Sequence, residues 1–499
     1  DLPSSVTGLN KQEEKIFMQN ITYETIEQLM EKAYGAVGKK IGDLDKSNRI
    51  QNHKNKGNLG QIIEEGYFGY DVNNKQEADF PNLGVELKVT PYKWVNNNKK
   101  VSAKERLVLT DINYEKDYNI HFTESHCYQK IEKILMMFYE HEKDKYKYDY
   151  IISKVFLYQF SQLSKEDQLI ILNDYETIIS KIKSGNAHLI SESDTFYLGA
   201  CPKGANSEYK VPQPFNSIKA MKRAFCLKNS YMTQLLRNQI FNKNQNRESF
   251  IKDISILYHN TFKDIIENTF SHYEGLTLNQ IDNSVGFNVN RNSKNYLRVY
   301  ISKMMNISVD ANKLDEFEKA DIVVKTIRIN KKGIIRESMS FPAFKTKELI
   351  DEDWETSTLR NLFLSKKFLF CIFDEIDDSF KQYKFRKVML WNMPEKDLES
   401  HVFNAWRKTQ DILTNGLHLE IKKQKTGKTI VTNNLPKKGD NLILHVRPHT
   451  QKSVYKLLNN ETIGDGNIER DGDLLPDGII ITKQCFFMNN DYILKIINE

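Results

Sequence analysis

Apolar positions recur at helical spacing over residues 21–35 (ITYETIEQLMEKAYG) and 59–68 (LGQIIEEGYF). Side chains at that spacing share one face, which predicts two amphipathic helices. Residues 165–183 extend the pattern into a long helix, and Gly185 just beyond it suits a left-handed cap. Strands are predicted where short runs alternate or stay apolar, at 84–89 (GVELKV), 106–110 (RLVLT) and 196–200 (FYLGA). The longest apolar run, 368–373, falls far short of the ~20 residues that a membrane span needs. A polar stretch, 242–248 (NKNQNRE), is the best linker. These signals describe a mixed α and β chain and exclude membrane-spanning and fibrous proteins.

The length of 499 residues suggests several domains. With 27 Phe and 24 Tyr the chain is too aromatic for disorder, despite a mean hydropathy of −0.58. Five scattered cysteines form no CxxC pair, so neither a disulfide framework nor a zinc ribbon is expected, and a reducing, cytoplasmic location fits. No secretory leader is read, and residues 1–19 form a polar tail whose first positions need not be native. Against a net charge of +6, the stretch 201–247 concentrates nine Lys/Arg with one acid, Glu208. Such a face suits a polyanion.

The second half echoes the first in order. Residues 37–44 match 274–281, 56–59 match 294–297, and 84–89 match 321–326. Tyr175 and Gly185 have the spacing of Trp406 and Gly416, and 194–203 match 440–449. Ordered matches of this kind predict two copies of one fold, over 20–245 and 250–499.

The chemistry concentrates in Asp79, then Glu86-Leu87-Lys88, a D-x6-E-x-K pattern. On a strand Glu86 and Lys88 project from one face while Val85 and Leu87 enter a core. Asp79 joins Glu86 as a candidate pair of ligands for a hard cation such as magnesium, which keeps waters and takes a substrate phosphate as a further ligand. Lys88 then orients the attacking water or stabilises developing charge. Glu64, on the helix expected beside the strand, adds a third acid. Lys104 precedes the 106–110 strand, which is expected to lie next to the motif strand. The triplet Gly427-Lys428-Thr429 lacks the earlier glycine of a phosphate loop, and no HExxH occurs among 11 histidines.

The runs 56–64 (KGNLGQIIE) and 79–88 (DFPNLGVELK) together resemble the MutH family of PD-(D/E)XK nucleases, which includes restriction endonucleases that cut GATC. The likeness continues through 102–109 (SAKERLVL), 112–116 (INYEK), 194–206 (DTFYLGACPKGAN) and 223–228 (RAFCLK). It implies an α/β fold, a mixed sheet flanked by helices, in two tandem nuclease-like domains. Asp79 and Glu86 become metal ligands, Lys88 the catalytic lysine, and Glu64 and Lys104 complete the site. Pro202 and Lys203 fall in the base-reading loop, where a lysine can donate to guanine O6 and N7. Asn206, Arg223 and Lys228 are further DNA-binding candidates. Cys226 replaces the tyrosine of the repair nuclease.

In the second copy Val323 stands opposite Glu86, Ser302 opposite Glu64, Glu316 opposite Asp79 and Lys325 opposite Lys88. Valine cannot hold a hard cation, so this copy is expected to bind DNA through Arg447 and His449 without cutting it, as an allosteric or clamping module. The whole resembles a magnesium-dependent type II restriction endonuclease for GATC, a monomer that pairs on DNA. It implies a host methyltransferase that forms no stable complex with it. A strand-nicking repair enzyme and a non-cleaving DNA-binding protein are the alternatives.

Overall fold

The computed structural model describes residues 22–499 apart from 47–48, 50–57, 71–76, 96–98, 204–208, 242–246, 378–381 and 424–428. The tail and most of the 242–248 linker therefore lie outside the described residues. Two compact units result: one runs to Ile265 and takes back Lys313–Asp321, and the other comprises Ile266–Asn312 and Ile322–Glu499. Packing units and sequence copies thus differ, because residues 250–265 and 313–321 join the first unit. Phe250, for instance, packs edge-on against both Phe262 and Phe317.

In the first unit, β1 (Glu86–Val95), β2 (Lys100–Ala103), β4 (Lys133–Glu140) and β5 (Ile152–Gln159) form a sheet of order β2-β1-β4-β5. β1 pairs in parallel with β4, Glu86 opposite Ile134, while the outer pairs are antiparallel. Leu87, Leu135 and Met137 share one core with Ile62 and Ile63 of the preceding helix, so the opposite face of β1 is left to Glu86 and Lys88. β3 (Leu107–Asp111) does not join this sheet. It pairs with β9 (Arg223–Leu227), which also carries β6 (Leu198–Pro202), in a second sheet. The strands beside the motif strand are therefore β2 and β4, not 106–110. β7 (Lys210–Gln213) and β8 (Asn216–Met221) form a hairpin.

The long helix spans Lys165–Lys183 as its spacing predicts. Ser164 caps it by accepting from Asp167 N–H, two acids occupy its first turn and two lysines its last, in keeping with the helix dipole. Gly185, at φ +70°, turns the chain away.

The second unit repeats both sheets. β10 (Ile322–Ile329), β12 (Lys367–Asp377) and β13 (Gln382–Trp391) run in the order β10-β12-β13. β10 and β12 are parallel, with Val323 opposite Phe368. β11 (Met339–Ala343), β21 (Gln484–Met488) and β16 (Leu444–Pro448) mirror β3, β9 and β6. A hairpin of β14 (Leu419–Lys423) and β15 (Thr429–Asn433) is added. So is a small sheet of β17 (Val454–Lys456), β18 (Thr462–Gly464), β19 (Gly472–Leu474) and β20 (Ile480–Thr482). The repetition extends to a turn. Gly38, at φ +85°, donates to Ile152 O at 2.8 Å, and Gly275, at φ +82°, donates to Phe385 O at 2.9 Å. Trp406, the counterpart of Tyr175, is likewise buried on a helix that precedes the strand β16.

Candidate active site

Three elements bring the carboxylates near one another. Glu64 sits where the helix Asn58–Gln61 widens into a π-turn, Ile62–Tyr67, with Ile62, Ile63 and Gly66 buried around it. A side chain at Gly66 would meet Leu44 O at 2.4 Å, so only glycine permits this close approach. Asp79 opens a tight loop in which Phe80 and Val85 pair, and its Oδ2 accepts from Leu87 N–H at 2.7 Å. Glu86 begins β1 and is only 4% exposed. Its two oxygens face two lysines: Lys88 Nζ donates to Oε1 at 2.9 Å and Lys130 Nζ to Oε2 at 2.6 Å.

The group is electrostatically strained. Burial, then the charges of Asp79 and Glu86, push the Glu64 carboxyl up to about 7, against the opposing pull of Arg49 and Lys88. Burial and Glu86 likewise raise Asp79, although the Leu87 amide, Lys88 and Lys130 offset part of it. Crowded carboxylates of this kind mark functional sites. Among the described residues no three acidic, histidine or cysteine side chains already form a metal cage. The donors are nevertheless all carboxylate oxygens, which suits a hard divalent cation that retains waters, and such a cation would relieve the mutual repulsion.

Lys130 escaped sequence reasoning. It lies at the end of the short helix His126–Ile131 and also donates to Glu77 O at 2.7 Å. Only the parallel pairing of β1 with β4 brings it to Glu86, and no local pattern signals that. Lys104 stands apart from the acids. Its N–H donates to Pro91 O, five residues along β1 from Glu86, its side chain is exposed, and its charge falls on His141.

The expected base-reading loop leaves the end of β6. Pro202 and Lys203 are exposed there, and Lys203 N–H donates to Lys222 O at 2.9 Å. The ammonium groups of Lys203 and Lys222 both meet Asp111. Burial raises the Asp111 carboxyl, but hydrogen bonds and charge from the two lysines outweigh it and hold the group low. Asn206 lies outside the described residues. Arg223 is not brought to the surface, and the Lys228 ammonium is engaged within the protein. Arg223 is 4% exposed and donates to Ala200 O at 2.9 Å, while Lys228 is half-buried and its ammonium donates to Glu192 O and Thr195 O. Arg223 thus ties β9 to β6 from inside, and Lys228 ties the end of β9 to the segment that leads into β6. Cys226 is fully buried, so base contact there is excluded in this arrangement.

In the second unit Arg447 is exposed, with its guanidinium 5.4 Å from the Phe487 ring centroid. His449 is exposed, and its N–H donates to Lys483 O at 2.8 Å, as Lys203 does to Lys222. Glu316 is not the structural counterpart of Asp79. It is buried and accepts from Ser249 Oγ, Phe250 N–H and Ile251 N–H. The counterpart is Asn312, whose Oδ1 accepts from Val324 N–H at 2.7 Å as Asp79 does from Leu87. An added helix, Asp315–Lys319, lengthens the connection and hides this match from sequence spacing.

Comparison with known proteins agrees with this double architecture. The family described as DNA mismatch repair enzyme MutH matches residues 68–174 and again 305–401. The chain is 35% identical over 503 residues to the type II restriction enzyme Sau3AI of Staphylococcus aureus, across 96% of this chain and 99% of that protein. The chain belongs to the MutH-related type II restriction endonucleases. It is a site-specific deoxyribonuclease with two tandem nuclease-like domains. The DNA mismatch repair proteins MutH of Vibrio vulnificus and Serratia proteamaculans are 26% and 25% identical, across only 39% and 44% of this chain. Sau3AI, unlike the shorter repair proteins, matches the chain over nearly its whole length.

Proposed function

We propose that the chain hydrolyses phosphodiester bonds of double-stranded DNA at GATC with Mg2+, in the first copy alone. The convergence of Asp79, Glu86 and Lys88 beside a destabilised Glu64 carries this reading. Asp79 and Glu86 hold the ion, with Glu64 alongside. When bound, the ion offsets charge on the scissile phosphate and makes water more acidic. Lys88 shares the strand face of Glu86, from which it orients the attacking water and steadies the charge that develops on phosphate. Lys130 holds the second oxygen of Glu86 and fixes the carboxylate.

Pro202 and Lys203 read guanine in the major groove, with Asn206 in the same loop; Lys203 leaves Asp111 to do so. Lys104 is kept as an accessory group only through the family resemblance. The second copy lacks the acids and binds DNA through Arg447 and His449 as a clamp or allosteric module. One site cuts one strand, so a monomer in solution pairs with a second copy of itself on the palindrome. A host methyltransferase protects the genome without a stable complex. The five free, buried cysteines are compatible with the cytoplasm, and no helix among the described residues is long and apolar enough to cross a membrane.

Replacing Glu86→Ala tests this reading. Cleavage should vanish while binding of a GATC duplex persists in a gel shift. Loss of both together would make Glu86 structural and overturn the assignment.

A further inference from the structure

The second copy has lost the carboxylates of its cleavage site while preserving its scaffold. Strand registers superpose the two: Glu86 opposite Ile134 on β1 and β4 corresponds to Val323 opposite Phe368 on β10 and β12. Asp79 becomes the neutral Asn312, which keeps the same hydrogen bond to the strand, at 2.7 Å in both. Glu64 becomes Ser302, whose hydroxyl donates to Val309 O at 3.0 Å. The carboxylates at all three positions are gone and the lysine two residues along the strand, Lys325, is retained, while Asp310 accepts from the N–H and Nδ2 of Asn312 at 2.9 Å.

Lys325 now sits in cationic surroundings. It is partly buried, and among the described residues no hydrogen-bond acceptor or carboxylate meets its ammonium. Burial, followed by the charges of Arg298 and Lys366, holds it below the usual lysine range. Arg298 lies on the helix Tyr296–Met304, one turn before Ser302, and is exposed. Among the described residues it pairs only with Asp310, at 3.8 Å. Lys366 precedes β12, where Asn392 Nδ2 fixes its carbonyl at 2.8 Å. A half-buried lysine whose ammonium meets no acceptor is costly unless an anion is supplied to it.

We propose that this vestigial cleavage site is a metal-independent phosphate site: Lys325, with Arg298 on the neighbouring helix, grips one backbone phosphodiester of duplex DNA. Loss of the carboxylates removes both the need for a cation and the repulsion that a phosphate would otherwise meet. The second copy then holds DNA without magnesium, where the first copy needs it. The inference rests on the reading that the second copy binds DNA.

The test uses the full chain, a GATC duplex and EDTA, with affinity followed by fluorescence anisotropy across a salt series. Lys325→Gln should weaken binding and flatten the slope of log affinity against log salt by about 0.9, the value of one phosphate contact. Lys325→Arg should keep both. Arg447→Ala, in the recognition loop, separates the two claims. If it weakens binding while Lys325→Gln changes neither affinity nor slope, the phosphate site is wrong and DNA binding by the second copy stands. If neither variant weakens binding, that reading itself fails and takes the phosphate site with it. Equal weakening by Lys325→Gln and Lys325→Arg at an unchanged slope would show a packing role and overturn the proposal.

Discussion

Replacing Lys130→Met removes one of the two cations that neutralise Glu86 and keeps the volume of the side chain. The Glu86 side chain is 5% exposed and that of Lys130 12%, so the pair is largely desolvated. Removing one partner of a buried pair costs about 3–5 kcal/mol, because the remaining charge is left uncompensated. Lys88, at 2.9 Å and 23% exposed, still serves the other oxygen, so roughly 2 kcal/mol is expected. A divalent cation bound at Asp79 and Glu86 supplies the missing charge. The loss should therefore shrink to under about 1 kcal/mol in saturating magnesium, because a ligand that binds only the folded state stabilises it. Urea unfolding with and without the metal measures this, with the first unit followed by hydrogen exchange of the β1 amides. An equal loss in both conditions, or none in either, would refute the coupling between Lys130, Glu86 and the metal.

Three further outcomes are expected. Lys203→Ala should cost about 1–3 kcal/mol of discrimination at one base pair, seen as relaxed cleavage of singly altered sites with stability unchanged. Lys228→Met should behave oppositely, lowering stability because two carbonyls lose their donor, with site preference intact in whatever enzyme remains folded. Glu64 keeps its proton to about pH 7 in the metal-free fold. The stability that this proton confers is complete below the unfolded carboxyl pKa and is lost as pH rises through 7. Metal must displace it, so magnesium affinity should climb from about pH 6 to 8 with proton release, which calorimetry in buffers of different ionisation enthalpy detects. A flat affinity across that range would remove Glu64 from the site.

Much of this architecture is legible in the sequence where a signal is local. The helix Lys165–Lys183 carries an unbroken pattern, a serine cap and a glycine stop, and it forms where the pattern places it. The two-copy plan is legible because glycine-dependent turns such as Gly38 and Gly275 and whole strand patterns recur in order. What fails is non-local. Nothing in 106–110 says that β3 joins β9 instead of β1, since pairing depends on chain far away. Lys130 reaches Glu86 only through the β1 and β4 pairing. Asn312 is masked by an inserted helix, which made Glu316 the better match by spacing alone. Arg223 looks like a surface charge, yet every residue of β9 is buried, and a basic run cannot reveal which members point inward.

The most direct measurement is digestion of unmethylated plasmid by the purified protein, with and without magnesium, followed by sequencing of the fragment ends. The account predicts linear fragments that end at GATC, formed only with the metal. Sequence-specific binding without cleavage of any DNA under those conditions would contradict it, and nicked circles alone would replace the restriction enzyme with a strand-nicking one.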